Sequence, residues 1–173
     1  MDCMIDIEGL GTGPDTTILT IAAQQFDPLR RDVFGDHFYA RVTLESQEGR
    51  SIQQETIDWW ATQPSIVREE AFGEQDRVPL EQALRGLTRV VWHARHAWAQ
   101  GPTYDMNILE HAYKSLNIAL PWRYYQVRDS RTVFSLCPGL EKPAASHHAL
   151  EDCRRQIGLL WDTFEILKIK EIA

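Results

Sequence analysis

The chain has 173 residues, 43% of them apolar and 25% charged, and carries a formal net charge of −7. That is the length of one domain with its own core and the composition of a globular protein. The acidic balance excludes a protein that coats nucleic acid through bulk electrostatics, and no apolar run reaches the ~18–20 residues that span a bilayer.

Residues 4–8 (MIDIE) predict a first strand. Side-chain alternation puts Asp6 and Glu8 on one face, with Cys3, Ile5 and Ile7 on the other, towards a core. Two neighbouring carboxylates repel, and a hard divalent cation held by oxygen ligands removes that cost. The alternative is an edge strand with a solvated acidic face. Residues 9–15 (GLGTGPD) form a turn-rich loop. Its glycines do not make a dinucleotide-binding motif, because the third is missing at the required spacing and the loop runs into a strand. Residues 18–26 and 36–42 read as two further strands, and the short connections predict an antiparallel meander. Residues 52–62 predict a helix, and Pro64 can open another. Residues 78–89 carry Leu80, Leu84 and Leu87 as a core stripe at helical spacing. His93 and His96, three apart in helical register, offer half a metal site without partners. Residues 97–100 predict a short strand, and 103–116 a helix with Thr103 as its N-cap. A strand at 124–127 and a closing helix at 150–168 follow, the latter with Ile157, Leu160, Trp161, Phe164 and Leu167 at intervals of three and four. The order βββ-α-β-α-β-α makes residues 1–173 a single α/β domain, a mixed sheet with helices on its faces.

Cys3, Cys137 and Cys153 lack C-x-x-C spacing, so they predict buried free thiols and a reducing cytoplasm rather than a disulfide framework. The N-terminal stretch has no basic start and is interrupted by acids, so it does not read as a signal peptide. Cys137 and Cys153 flank His147 and His148, but the spacing fits no usual zinc site.

Two more acids stand at helix starts. Asp105 lies in the first turn after the 97–100 strand, and Asp152 lies one turn into the last helix, behind Ser146-His147-His148. Taken singly, each is explained by the helix dipole. Taken together and in order, the chain resembles the DEDDh 3′→5′ exonucleases, an RNase H-like family that includes ribonuclease T, oligoribonuclease and polymerase proofreading subunits. The resemblance rests on Asp6-Ile7-Glu8, on Asp105 opening a helix after a strand, and on His147 five residues before Asp152. It covers almost the whole chain. One departure is the run Gly9-Leu10-Gly11-Thr12, where many relatives have two threonines and a glycine.

The resemblance implies two Mg²⁺ or Mn²⁺ ions, about 4 Å apart, held by Asp6, Glu8, Asp105 and Asp152 for in-line hydrolysis that releases nucleoside 5′-monophosphates. A histidine takes the proton from the attacking water. Helix geometry nominates His148, four residues from Asp152. The family motif nominates His147, which converges with Asp152 only at an irregular helix start, and the motif is followed here. For the 3′ end, the resemblance implies that Gly9 permits close backbone approach and that Leu10 packs on the terminal base. Tyr104 neighbours the site. Trp59 and Trp60 offer base stacking, although adjacent helical positions seldom share a face, so one of them belongs to the core.

The leading expectation is therefore a metal-dependent 3′→5′ exonuclease on single-stranded DNA, with single-stranded RNA or 3′ overhangs as the alternative. An end-binding module that has lost catalysis, and a zinc hydrolase using the cysteines and the His pair, are the competing classes. A homodimer is expected from small relatives, and no membrane association.

Overall fold

The computed structural model describes residues 1–172. The sheet grows from an antiparallel meander: β1 (Asp2–Gly9), β2 (Ile18–Phe26) and β3 (Phe34–Val42). Behind the meander come α1 (Gln54–Ala61), α2 (Ser65–Phe72), β4 (Arg77–Val78) and α3 (Leu80–Val91). Next are β5 (Ala97–Ala99), α4 (Pro102–Ser115), β6 (Val127–Asp129), α5 (Ser130–Ser135) and α6 (Ala149–Ile166). The strand order is β4-β3-β2-β1-β5-β6. β1 pairs antiparallel with β2 and parallel with β5, and β6 pairs parallel with β5.

The sheet has a core on each face. On one face Cys3, Ile5 and Ile7 pack with Leu80, Leu84 and Leu87 of α3 and with Ile108, Leu109 and Ala112 of α4. On the other, Met4, Ala22 and Trp98 pack against Phe134 of α5 and Ala149, Ile157, Leu160 and Trp161 of α6. Asp6 and Glu8 follow Met4 in alternation, so they open onto the α6 face beyond the end of this second core. The sequence expectation of a mixed sheet with helices on both faces holds.

Several boundaries move. β3 begins at Phe34, two residues before the alternating pattern becomes readable. α3 starts at Leu80 because Pro79, extended at its N-cap, cannot be an interior helical residue with a bonded N–H. It ends at Val91, so His93 and His96 share no helix. His96 is instead buried, its Nδ1 3.1 Å from Asp2 Oδ2, and neither histidine belongs to the metal-competent set found among the described residues. Residues 124–126 form a 3₁₀ turn, and only Val127 of the expected strand lies in β6. α4 is capped by Gly101, not Thr103, with Pro102 in its first turn. Gly101 has φ +96°, a left-handed conformation suited to glycine.

Candidate active site

The first helical turn of α4 sits beside β1, and Asp105 Oδ1 accepts a 3.1 Å hydrogen bond from the Ile7 amide. That bond docks Asp105 against the backbone of the residue between the strand's two acids. α6 crosses the other side. Asp6, Glu8 and Asp152 each present a ligand oxygen within 4.8 Å of the others, the one such metal-competent set among the described residues. Asp105 lines the same cleft but stands outside that tight triple. No set containing Cys137 or Cys153 converges among the described residues, and both thiols are buried, so the zinc alternative loses its ligands.

Burial pushes Asp105 up to about 7, against the opposing hydrogen bond from Ile7. Asp6 is raised well above the usual carboxylate range, first by burial and then by the charges of Asp105, Glu8 and Asp152. Glu8 is raised by burial, with His147 working in the opposite direction. Such a cluster is destabilised by its own charge unless a cation or protons neutralise it. The cleft also holds orphaned acceptors. Gln156 donates from Nε2 to Asp6 Oδ1 at 2.7 Å, which leaves its Oε1 buried without a hydrogen-bond partner, and Gln100 Oε1 is in the same state. Both side chains line the acid cleft. A converging ligand set made only of carboxylate oxygens fits hard divalent ions.

The chain enters α6 through a sharp turn. His147 adopts φ +56°, and His148 is the extended N-cap of the helix. Asp152 holds this turn from within, accepting from the Ser146 and His147 amides at 3.1 and 2.8 Å. Arg155, one turn further along α6, donates to Asp152 Oδ1 at 2.7 Å. The irregular start lets a residue five positions before Asp152 reach the acids: His147 Nδ1 lies 3.6 Å from Glu8 Oε1, and the Glu8 carboxylate raises its pKa. His148 turns the opposite way, its Nε2 3.6 Å from Glu70.

Beside the acids lies a cleft of about 430 Å³ lined by Glu8, Gly9, Thr12, Gln53, Trp59, Tyr104 and His147 among others. Trp59 is 41% exposed, while Trp60 is 2% exposed and donates from Nε1 to the Gly9 carbonyl at 3.1 Å. The pair thus divides into one accessible ring and one structural ring. Leu10 joins Leu19, Trp60 and Ala71 in a third core cluster, so its side chain is unavailable to a terminal base. Gly9 sits in a tight place: a Cβ there would stand 3.1 Å from Thr17 O and 3.2 Å from the Tyr104 hydroxyl oxygen, so those neighbours would have to give way by a few tenths of an ångström. Sequence reasoning missed Gln53, Gln100, Arg131, Arg155 and Gln156. The last two were findable, three and four residues after Asp152 on the same helical face. Gln100 and Arg131 carried no pattern.

Residues 1–163 match the model of a family described as the 3'-5' exoribonuclease Rv2179c-like domain. The chain belongs to that family. Comparison with curated proteins gives no match. Among solved structures, this Rv2179c-like domain resembles the nuclease domain of 3'hExo, a DEDDh family member bound to rAMP, with TM-score 0.60 and 13% identity over 99% of this chain and 94% of that one. It resembles exonuclease X, solved with 5′-overhanging duplex DNA, with TM-score 0.58 and 16% identity over 96% of this chain and 92% of that one. It also resembles cell-death related nuclease 4, with TM-score 0.60 and 15% identity over 96% of this chain, and it spans 64% of that nuclease's length. At these identities the likeness is one of fold. The family match makes the chain a 3′→5′ exonuclease domain, and its mixed sheet with helices on both faces is the fold of these solved exonucleases.

Proposed function

We propose that this domain removes nucleoside 5′-monophosphates from the 3′ end of single-stranded RNA with two divalent ions. The observation that carries this reading is the convergence of Asp6, Glu8 and Asp152, with Asp105 alongside and His147 facing Glu8, from three separate segments of the chain. RNA replaces the DNA favoured by the sequence because the family is described as exoribonucleolytic. Single-stranded DNA is the second reading, motivated by a neighbour solved with DNA.

Asp6, Glu8, Asp105 and Asp152 would hold Mg²⁺ or Mn²⁺. When bound, the ions activate the attacking water and stabilise the leaving 3′ oxygen. His147, turned into the acid cleft, accepts the proton of that water at an imidazole nitrogen. Trp59 stacks on the terminal base, Tyr104 lines the same cleft, and Trp60 acts indirectly by holding the Gly9 carbonyl of the backbone against which the 3′ end rests. The three buried free thiols favour a reducing cytoplasm, and a homodimer is the proposed assembly. Digestion of matched 5′-labelled RNA and DNA oligonucleotides with Mg²⁺, with Mn²⁺ and with EDTA tests the function. The expected result is metal-dependent shortening, faster on RNA. Faster DNA digestion moves the substrate to the second reading, and no digestion of either with metal overturns the enzyme assignment.

A further inference from the structure

We infer that Tyr39, Arg41 and Glu70 form a latch that receives the His148 ring and thereby holds His147 in its working position. The inference rests on the proposed role of His147 and adds positioning residues that lie outside the acid cleft.

The sheet register places the latch. Asp6 pairs with Ala22, and Ala22 pairs with Tyr39; Glu8 pairs with Thr20, and Thr20 pairs with Arg41. Cross-strand partners share a face, so Tyr39 and Arg41 stand on the same face as the two acids, two strands away, or roughly 10 Å at the usual strand spacing. α2 lays Glu70 over them. Glu70 accepts a hydrogen bond from the Tyr39 hydroxyl, and its second oxygen accepts from Arg41 Nη2 at 2.7 Å. Burial alone would raise the Glu70 carboxyl, but Tyr39 and Arg41 outweigh it and hold it low, so the acid is charged and fixed.

The His148 ring enters this arrangement. It lies over Tyr39 with ring centroids 4.8 Å apart and planes inclined at 31°, and its Nε2 is 3.6 Å from Glu70 Oε1. Its Nδ1 is buried without a hydrogen-bond partner. Aromatic packing and the Glu70 charge therefore hold the ring, with no help from Nδ1. On the other side of the same peptide, His147 stands edge-on to Trp59 and Trp60, at 5.0 and 6.1 Å between centroids. Two consecutive rings are thus pinned in opposite directions across a residue with φ +56°. Outside glycine that conformation costs of order 1–3 kcal/mol and persists only where the surroundings impose it. Asp152 grips the turn from the acid side, but a bound cation competes for the same carboxylate. The latch grips it from the opposite side, through residues that do not line the acid cleft.

The test compares Glu70→Ala, Glu70→Gln and His148→Phe, each alone and combined with His147→Ala, by steady-state hydrolysis of a short RNA and by thermal melting. Glu70→Ala is expected to lower kcat roughly 10–100-fold, the cost of misplacing a reacting group by about 1 Å, with KM unchanged. Glu70→Gln, which still accepts from Tyr39 and Arg41, restores part of the loss. His148→Phe keeps the stack on Tyr39 but loses the Glu70 contact. It reads the latch from the other side should Glu70→Ala not fold. In the His147→Ala background none of these changes lowers kcat further, because the latch acts only through His147. A loss repeated in that background, or wild-type kcat in both Glu70→Ala and His148→Phe, overturns the latch and leaves His147 as the base. Wild-type kcat in His147→Ala itself overturns the base assignment and the latch with it.

Discussion

Residue by residue, the buried acid cluster carries a pH-dependent cost to stability, and Asp105 allows that cost to be measured. Its carboxyl lies at about 7 in the folded chain, against ~3.9 when unfolded. Below about pH 4 both states hold the proton and no penalty exists. Between about pH 4 and 7 the unfolded chain has released a proton that the folded chain still binds, so stability falls as pH rises. Asp105→Asn removes that penalty while its amide oxygen can still accept from the Ile7 N–H. In EDTA the variant should melt with the wild type near pH 4 and a few degrees above it at pH 8, by calorimetry; equal melting at both pH values would contradict the buried charge. With Mg²⁺, Asp105→Asn should be nearly inactive. His147→Ala should lower turnover by ~10²–10⁴, the range for a lost general base, and leave metal binding intact. His148→Ala should cost clearly less in the same assay; the reverse ranking moves the base to His148. The convergence of Asp6, Glu8 and Asp152 was legible through the family resemblance, which also nominated His147 where helix spacing nominated His148. Leu10 was not, because whether an apolar residue beside a site belongs to the ligand or to the core depends on what packs over it, here Trp60 and Leu19.

At the scale of elements, long periodic segments were readable, and of the shortest ones β5 was read while β4 and α5 were not. The stripe of Leu80, Leu84 and Leu87 announced α3, and the Ile157–Phe164 pattern announced α6, since each buries an apolar face with many repeats. β4, with two residues, and α5, with six, carry too few repeats to show a period. The N-cap of α4 was misassigned for another reason. Thr103 is a good capping type, but the backbone conformation at Gly101, φ +96° and ψ 70°, decides where the helix begins, and composition does not report it. That conformation yields a prediction. Gly101→Ala forces a left-handed residue with a Cβ 3.3 Å from the Arg131 guanidinium carbon. It should cost about 1–2 kcal/mol, a melting-point drop of roughly 2–8 °C. Because α4 delivers Asp105 four residues later, activity should fall together with stability. A variant that melts and cuts like the wild type would show that the helix start tolerates the change.

Across the whole molecule, the substrate is gripped by a local site on an acidic body. With a net charge of −7, the chain has no electrostatic surplus with which to hold a long strand. Recognition must come from the cleft beside the acids, where Glu8, Gly9, Thr12, Gln53, Trp59 and Tyr104 surround a space of about 430 Å³. α1 and the loop after β1 wall the cleft on the side away from Asp152, and Gln53 ties the two together by accepting from the Thr12 amide at 3.0 Å. On the proposed function, a 3′ terminus enters between these walls. The domain should therefore degrade from 3′ ends. A 5′-labelled oligonucleotide should yield a ladder of steadily shorter labelled products, a 3′-terminal phosphate should slow it strongly, and a closed circle of the same sequence should persist. Gln53→Ala loosens the wall and should weaken the discrimination against the 3′-phosphate before it lowers the rate on 3′-hydroxyl ends. Cutting of the circle at a rate comparable to the linear strand would mean that the cleft is open at both ends and that the domain acts internally.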